Sequence, residues 1–367
     1  EAFYFITVSN VDGKRIQQKV PLTASATKQI NTFDDYTFYE KEEISLLAAG
    51  TQWFGKSNFN IENSQNFKIP FPNALPNGDM SIKIRGVSTS VASSTMEVNI
   101  NGAPLYTLNY AAVNSGSLTK ASTSQRTASI QNSAKVIDVS ISYNNNGNPS
   151  ASAYLDYIEV VGKKQLVAAD SQFSFRSFEQ ANSSGVIEYD IQNNTNIFQV
   201  WDVSNSIAPQ NITNEDSGSN FKFKDDSGSL KEYVVLHQND YYTPKSIQNG
   251  KVPNQNLHAL KDINYIVITN SELSAQAQRL ANYHQTNSGF TTKVVQLDAI
   301  YNEFSSGSRD ITGIRDFLRH IYNTNSSEDK KLQYVCFFGD SSYDYKDRIA
   351  GNNNIVPVKL SENSFNL

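Results

Sequence analysis

The hydrophobic rhythm of this chain changes once, close to Asp262, and that change restricts the folds open to it more than any other feature. Upstream, apolar residues recur at every second position, as in Met80-Ser81-Ile82-Lys83-Ile84-Arg85 and Met96-Glu97-Val98-Asn99-Ile100. The same alternation runs through 136–143 and 155–160. A period of two gathers the apolar side chains on one face of an extended strand, so these segments read as strands half-buried against a second sheet. Asn77-Gly78, Asn101-Gly102 and the Asn145-Asn146-Gly147-Asn148-Pro149 run supply the turns between them. Short strands at this spacing predict an all-β region, a jelly-roll-like β-sandwich over residues 1–164. Its polar stretch 115–131 reads as an outer loop or an edge strand. A second β-rich region, 165–257, has strand candidates at 173–178, 185–191, 197–203, 220–223 and 232–236.

Downstream of Asp262 the rhythm lengthens. The run 263–269 is an apolar strand, after which Leu273, Ala277, Leu280, Ala281 and His284 fall at helical spacing up to Gly289. Asn270 and Ser271 are competent to cap that helix. A strand at 291–297, a short helix at 298–304, a helix capped by Asp310 and a continuous apolar strand at 333–338 complete the pattern. Strand, helix, strand, helix, strand calls for right-handed crossovers and a parallel sheet. Residues 258–367 are therefore expected to form an α/β subdomain.

The apolar, aromatic and β-branched run at 2–8 reads as a strand already under way, and 360–367 is polar without a closing feature. The expectation is a longer protein that continues on both sides, with any export signal upstream.

Composition removes several function classes. A net charge of −5 argues against a nucleic-acid partner, which would require a basic face. No apolar run approaches the roughly 18 residues of a membrane-spanning helix. One cysteine excludes an internal disulfide framework and leaves the redox compartment open. That cysteine, Cys336, lies mid-strand between Val335 and Phe337, which predicts a small buried hydrophobe rather than an exposed nucleophile. The four histidines (His237, His258, His284 and His320) are scattered, with no metal-ligand spacing among them. The segment 339–347 follows the carboxyl end of a parallel strand, where open α/β sheets place ligands. Its carboxylates Asp340, Asp344 and Asp347 either bind a hard cation such as calcium or are the solvated charges of a structural loop. Asn182-Ser183-Ser184 and Asn211-Ile212-Thr213 fit the glycosylation sequon, a weak motif in so Asn-rich a chain.

Three stretches together resemble the gingipain-type cysteine peptidases, and among them the sortases of the type IX secretion system. They are Val252-Pro253-Asn254-Gln255-Asn256-Leu257-His258-Ala259-Leu260, then Ile300-Tyr301-Asn302-Glu303-Phe304-Ser305-Ser306-Gly307 running on through Asp310 to Ile314-Arg315-Asp316-Phe317, and Phe338-Gly339-Asp340-Ser341-Ser342-Tyr343-Asp344-Tyr345-Lys346. Phe33-Asp34-Asp35-Tyr36 and Trp53-Phe54-Gly55 extend the likeness upstream, so that it spans nearly the whole chain. The resemblance implies an exported, cell-surface enzyme associated with the outer membrane. Such an enzyme removes the C-terminal signal from cargo proteins, joins the cargo to surface lipopolysaccharide, and works beside outer-membrane proteins of the secretion system. It implies a catalytic histidine and cysteine beyond residue 367, so no residue of this chain takes a catalytic role and no cofactor is expected, a structural calcium apart. The alternative from another class is a surface-binding or docking module without catalysis, gripping glycan or an outer-membrane partner. That reading draws on Trp53, Tyr106, Tyr110 and the 11% aromatic content.

Overall fold

A computed structural model describes residues 3–49, 51–76, 78–114, 116, 119–131, 134–168, 171–247 and 251–358. The chain divides into two compact units. A β unit comprises Val11–Lys41 and Phe54–Lys245, and an α/β unit comprises Glu1–Asn10, Glu42–Trp53 and Ser246–Leu367. Among the described residues no helix is long and apolar enough to cross a membrane.

The β unit holds two hydrophobic cores. Around the first, two four-stranded antiparallel sheets face each other. One runs Thr32–Glu40, Ala153–Gln165, Met80–Ser88, Ser122–Ile130, and the other Ser64–Pro70, Val136–Asn144, Ser94–Ile100, Ala103–Tyr110. The alternation in sequence is the cause. Ile82 and Ile84 from one sheet meet Ile69, Val98, Leu108 and Ile141 from the other, all buried in one cluster. Each such side chain contributes on the order of 1.5–3 kcal/mol by leaving water. Ser122–Ile130, polar along most of its length, is an edge strand.

The second core lies between a five-stranded sheet, Gln17–Gln18, Gln210–Ile212, Ile197–Asp202, Glu232–His237, Phe173–Arg176, and a three-stranded one, Phe221–Asp226, Val186–Ile191, Lys28–Ile30. Here the structure differs from a division at residue 164. Gln17 and Gln18 pair in parallel with Gln210 and Asn211, and Lys28–Ile30 pair in parallel with Ile187–Tyr189. Ile30 and Phe33 belong to this second core. Parallel pairing joins strands distant in sequence and needs no turn between them, so turn signals cannot reveal it. The only α-helix among the described residues before 257 is the single turn Phe178–Ala181, capped by Ser177.

The α/β unit has a three-stranded parallel sheet in the order Thr292–Gln296, Tyr265–Thr269, Tyr334–Phe337. Helix Ser274–Ser288 ends at Gly289 in the left-handed conformation, φ 72°. Helices Leu297–Phe304 and Ile311–Asn323 follow, the second capped by Asp310, whose carboxylate accepts from the Thr312 N–H at 2.8 Å. Asn270 does not become the N-cap. Its side chain accepts from the Leu273 N–H at 3.0 Å, and the helix starts at Ser274. Residues 3–9 form no strand, against the expectation from their composition, because no neighbouring strand pairs with them.

Candidate functional site

The central strand Tyr265–Thr269 is buried at all five positions and fixes the frame of the site. Val267 stands in register with Val294 on one side and Cys336 on the other. At the carboxyl end of this sheet the chain leaves the third strand. The Phe338 N–H donates to the Ile268 carbonyl and the Thr269 hydroxyl to the Phe338 carbonyl, both at 2.8 Å. Gly339 makes the exit possible. Its φ is 154°, and a Cβ there would lie 2.4 Å from Ile355 Cγ2, so any side chain would force the returning segment away. The loop 339–347 thus emerges at the carboxyl edge, as the sequence predicts, and Ile355 and Val356 return to donate to the Asp340 carbonyl at 2.9 and 3.0 Å.

Its three carboxylates do not converge. Asp340 accepts from the Ser341 N–H at 2.8 Å. Asp344 is fully buried, accepts from the Ile349 N–H at 2.6 Å and faces Arg348 at 3.8 Å. Asp347 pairs with Arg309 at 2.7 Å and accepts from the Asn352 amide at 3.1 Å. Among the described residues no three His, Cys, Asp or Glu side chains are grouped to hold a metal ion. Of the two readings of this loop, the geometry is that of the structural one, with Asp340 and Asp344 accepting from backbone N–H groups and Asp347 paired with Arg309, while the buried Asp344 Oδ1 has no hydrogen-bond partner and only faces Arg348.

Arg348 organises the loop. Its guanidinium pairs with Glu42, lies 4.6 Å from the centre of the Trp53 ring, and reaches Tyr345 at 5.9 Å. Trp53 in turn stacks on Tyr343, ring centres 5.8 Å apart and planes at 20°. Trp53 is therefore buried in the α/β unit, with 2% of its surface exposed, and offers no platform for a sugar. Tyr106 and Tyr110 are buried too. Tyr106 donates to the Arg126 carbonyl at 2.9 Å, and its hydroxyl is pushed up to about 12 by loss of solvation. Tyr110 donates to the Met96 sulfur at 3.2 Å.

Cys336 corrects an expectation. The strand Tyr334–Phe337 is an edge strand, with Tyr334 and Phe337 exposed and Cys336 half-buried. A continuous apolar run predicts burial on both faces only where helices or another layer cover both faces of its strand. The side chain packs against the cluster of Tyr265, Val267, Ala277 and Ala281. Loss of solvation, with the Cys336 sulfur adding to it, pushes the Tyr265 hydroxyl above its usual value.

The histidines hold the arrangement that spacing does not disclose. His258 Nδ1 meets the Glu303 carboxylate at 2.7 Å, and His320 Nε2 meets the His258 carbonyl at 3.0 Å. The His258 ring stacks on Phe304 at 4.4 Å and meets the His320 ring edge-on at 5.1 Å. Burial pushes the Glu303 carboxyl up, but hydrogen bonds from the Leu257 N–H, the Gln255 amide and His258 outweigh it, and the group titrates below its usual range. Chemically this is an imidazole oriented by a carboxylate, which favours the proton on Nδ1 and leaves Nε2 as the basic nitrogen. The partners stand 45 and 62 residues apart in sequence, on separate helices and a turn, so only folding brings them together. His284 is a helix-flank residue bonded to Ser288 at 3.2 Å, and His237 is buried in the β unit. Of the two sequons, Asn211 is tied into a sheet, its amide donating to Gln18 at 3.0 Å.

Residues 258–366 match the family model of Peptidase family C25. No curated protein sequence matches the chain. Among solved structures, dimeric latent PorU from Porphyromonas gingivalis is similar over 92% of this chain, with a TM-score of 0.76 and 20% identity. This chain covers 32% of that one, about a third of its length. A carbohydrate-binding module, CBM35 from Cellvibrio japonicus Abf62, aligns over 36% of this chain and 97% of its own, with 17% identity and a TM-score of only 0.23. The C25 match is confined to residues 258–366, and the all-β front followed by a parallel α/β region has the fold of the corresponding third of PorU.

Proposed function

We propose that this chain is the front portion of a gingipain-type cysteine peptidase that serves as a sortase of type IX secretion. It would remove the C-terminal signal from exported cargo and join the new terminus to surface lipopolysaccharide, at the outer membrane and beside other proteins of the secretion system. The observation that carries this reading is the C25 match over 258–366, laid on a parallel sheet whose carboxyl edge presents an ordered loop. In the proposed chemistry a thiolate attacks the scissile carbonyl and expels the amine of the signal segment. Water or a glycan-borne amine then resolves the thioester.

The nucleophile and its base are assigned to the part of the longer protein outside this chain. Within it, Cys336 packs against Tyr265, while His258, His284 and His320 are hydrogen-bonded to Glu303, Ser288 and the His258 carbonyl. The test compares residues 1–367 with the longer gene product on a peptide spanning a cargo cleavage site. Turnover is expected from the longer product alone, and unchanged in its Cys336→Ala variant. No turnover by the longer product would remove the peptidase reading. Turnover by residues 1–367 that is lost on Cys336→Ala would instead move the nucleophile into this chain. The surface-binding alternative no longer rests on Trp53, Tyr106 or Tyr110, all three buried.

A further inference from the structure

The first sandwich carries rings on the outer face of one sheet. Tyr36 and Phe38, two residues apart on the edge strand Thr32–Glu40, project to the same side. They are 50% and 59% exposed, and their planes lie within 9° of parallel with centres 6.4 Å apart. Opposite them on the next strand stand Val161 and Glu159, and Val161 is also exposed. The Arg176 guanidinium lies over the Tyr36 ring at 5.3 Å and is itself held by Glu232 at 3.0 Å. The pair of rings is therefore exposed and also held in place, so a ligand would meet it at small cost in side-chain entropy.

The charges around the rings select the ligand. Lys163 pairs with Asp34 at 3.2 Å, Lys83 with Glu159 at 2.7 Å, and Arg176 with Glu232. Each of these cations is matched by a neighbouring anion, so they create no net field to draw a phosphate backbone or a charged peptide. Ionic side chains also interrupt the apolar surface, which argues against a partner that needs a continuous hydrophobic patch. Glu40, exposed two positions beyond Phe38 on the same side, adds one carboxylate, which repels an anion and can accept from a hydroxyl, so what fits two open rings in this rim is a ligand with apolar C–H faces and uncharged hydroxyl edges. The polarised C–H groups of a pyranose meet the negative face of an aromatic ring, and its hydroxyls find partners on either side.

We propose that this outer sheet face, centred on Tyr36 and Phe38, binds a neutral oligosaccharide. The proposal concerns the β unit alone and does not rest on the peptidase reading. Native gels cast with dextran, mannan, xylan or laminarin test it, using residues 1–367. At least one of these is expected to retard the chain, and the double variant Tyr36→Ala/Phe38→Ala should weaken that retardation at least tenfold. A Tyr36→Leu/Phe38→Leu variant, which keeps apolar bulk and removes the ring faces, should lose it as well, separating lost binding from lost fold. Lys68→Ala, on the opposite sheet, should bind normally. Retardation by none of the four polysaccharides would overturn the proposal, as would retardation that survives in both double variants. So would a concentration-dependent dimer abolished by the double variants without any polysaccharide binding, which would make a second copy the occupant.

Discussion

The two sandwiches of the β unit solve the same problem by different means. The core of the first is almost wholly apolar, and its buried polar groups form small closed sets, such as the Ser88 hydroxyl with Ser94 and Tyr143 at 2.9 Å each. The second surrounds a polar network. Tyr189 and Tyr233 are buried among Phe175 and Phe223, yet the Tyr189 hydroxyl donates to Gln180 at 2.9 Å and the Tyr233 hydroxyl to Asp225 at 2.8 Å. Asp225, 1% exposed, is paired with both Lys19 and Lys231, and Lys19 bonds Asp202 at 2.6 Å as well. Removal of apolar surface from water holds the first sandwich, and it tolerates small losses. Apolar burial holds the second as well, but it also encloses matched charges that are costly to break singly. Lys19 also ties the N-terminal segment into that network across a separation of 183 residues from Asp202.

The strongest way to break this comparison is Asp225→Ala. It leaves Lys231 without its carboxylate and Lys19 with Asp202 alone, both lysine side chains being only 18% and 17% exposed, and removes the 2.8 Å acceptor of the Tyr233 hydroxyl. A loss of about 3 kcal/mol is expected, the low end for removing one partner of a buried pair because both lysines keep some contact with water. The chain has two tryptophans, and in a Trp53→Phe background Trp201 reports urea unfolding of the second sandwich alone. A loss below about 1 kcal/mol would show that the network stabilises no more than ordinary surface pairs do.

Acid gives a gentler break of the same network. Burial pushes the Asp202 carboxyl up, but hydrogen bonds from Lys19 and Ser204 outweigh it and hold its folded value below the usual one. The stability Asp202 contributes is therefore complete above the unfolded value of about 3.9 and is lost as pH falls through the lower folded value. Lys19 works at the other extreme. Burial lowers it, the bonds to Asp202 and Asp225 raise it further, and its contribution is present below about 10.5 and lost as pH rises past the folded value. Unfolding midpoints followed at Trp201 should fall below pH 4, and Asp202→Asn should flatten that fall. An equal acid slope in the variant would assign it to other carboxylates.

The same contrast explains what could be read in the chain beforehand. The first sandwich was legible because each strand carries its own alternation and its turns are written as Asn-Gly pairs. The parallel sheet was legible because strand and helix periods alternate, and Asp310 and Gly289 mark helix ends by their own chemistry. Lys19 and Gln180 were not legible, since a polar residue shows nothing in sequence of the partner it will meet through tertiary folding. The exposure of Cys336 escaped the sequence for a related reason, because an apolar run does not disclose whether both faces of its strand are covered. In the candidate site, the position of the loop 339–347 followed from the strand before it. The His258–Glu303–His320 cluster had no such local signal.

Within the first sandwich a single methylene should be felt but absorbed. Ile141 is fully buried and packs in the aliphatic core, so Ile141→Val should cost about 1 kcal/mol through lost transfer energy and a small residual void. Thermal or urea unfolding of the variant checks this. A cost above about 3 kcal/mol would mean that this core, like the second, relies on one arrangement it cannot relax from.

The smallest effect is expected where the chemistry is that of the second sandwich and the surroundings are those of the first. Lys68 and Asp138 face each other at 3.0 Å across adjacent strands Ser64–Pro70 and Val136–Asn144, with side chains 78% and 61% exposed. The charges are of the same kind as those of Lys19 and Asp225, and at 3.0 Å they are in hydrogen-bonding contact. Water already solvates both ions in either state, salt screens them, and holding two long side chains together costs entropy. Lys68→Ala should therefore change stability by no more than about 0.5 kcal/mol, and that remainder should vanish when the ionic strength is raised to about 1 M. Measured by thermal unfolding beside Asp225→Ala, it sets one exposed ion pair against a buried one. A Lys68→Ala loss approaching that of Asp225→Ala would mean that pairing alone, rather than pairing without water, sets the strength of these contacts, and the distinction between the two sandwiches would fall with it.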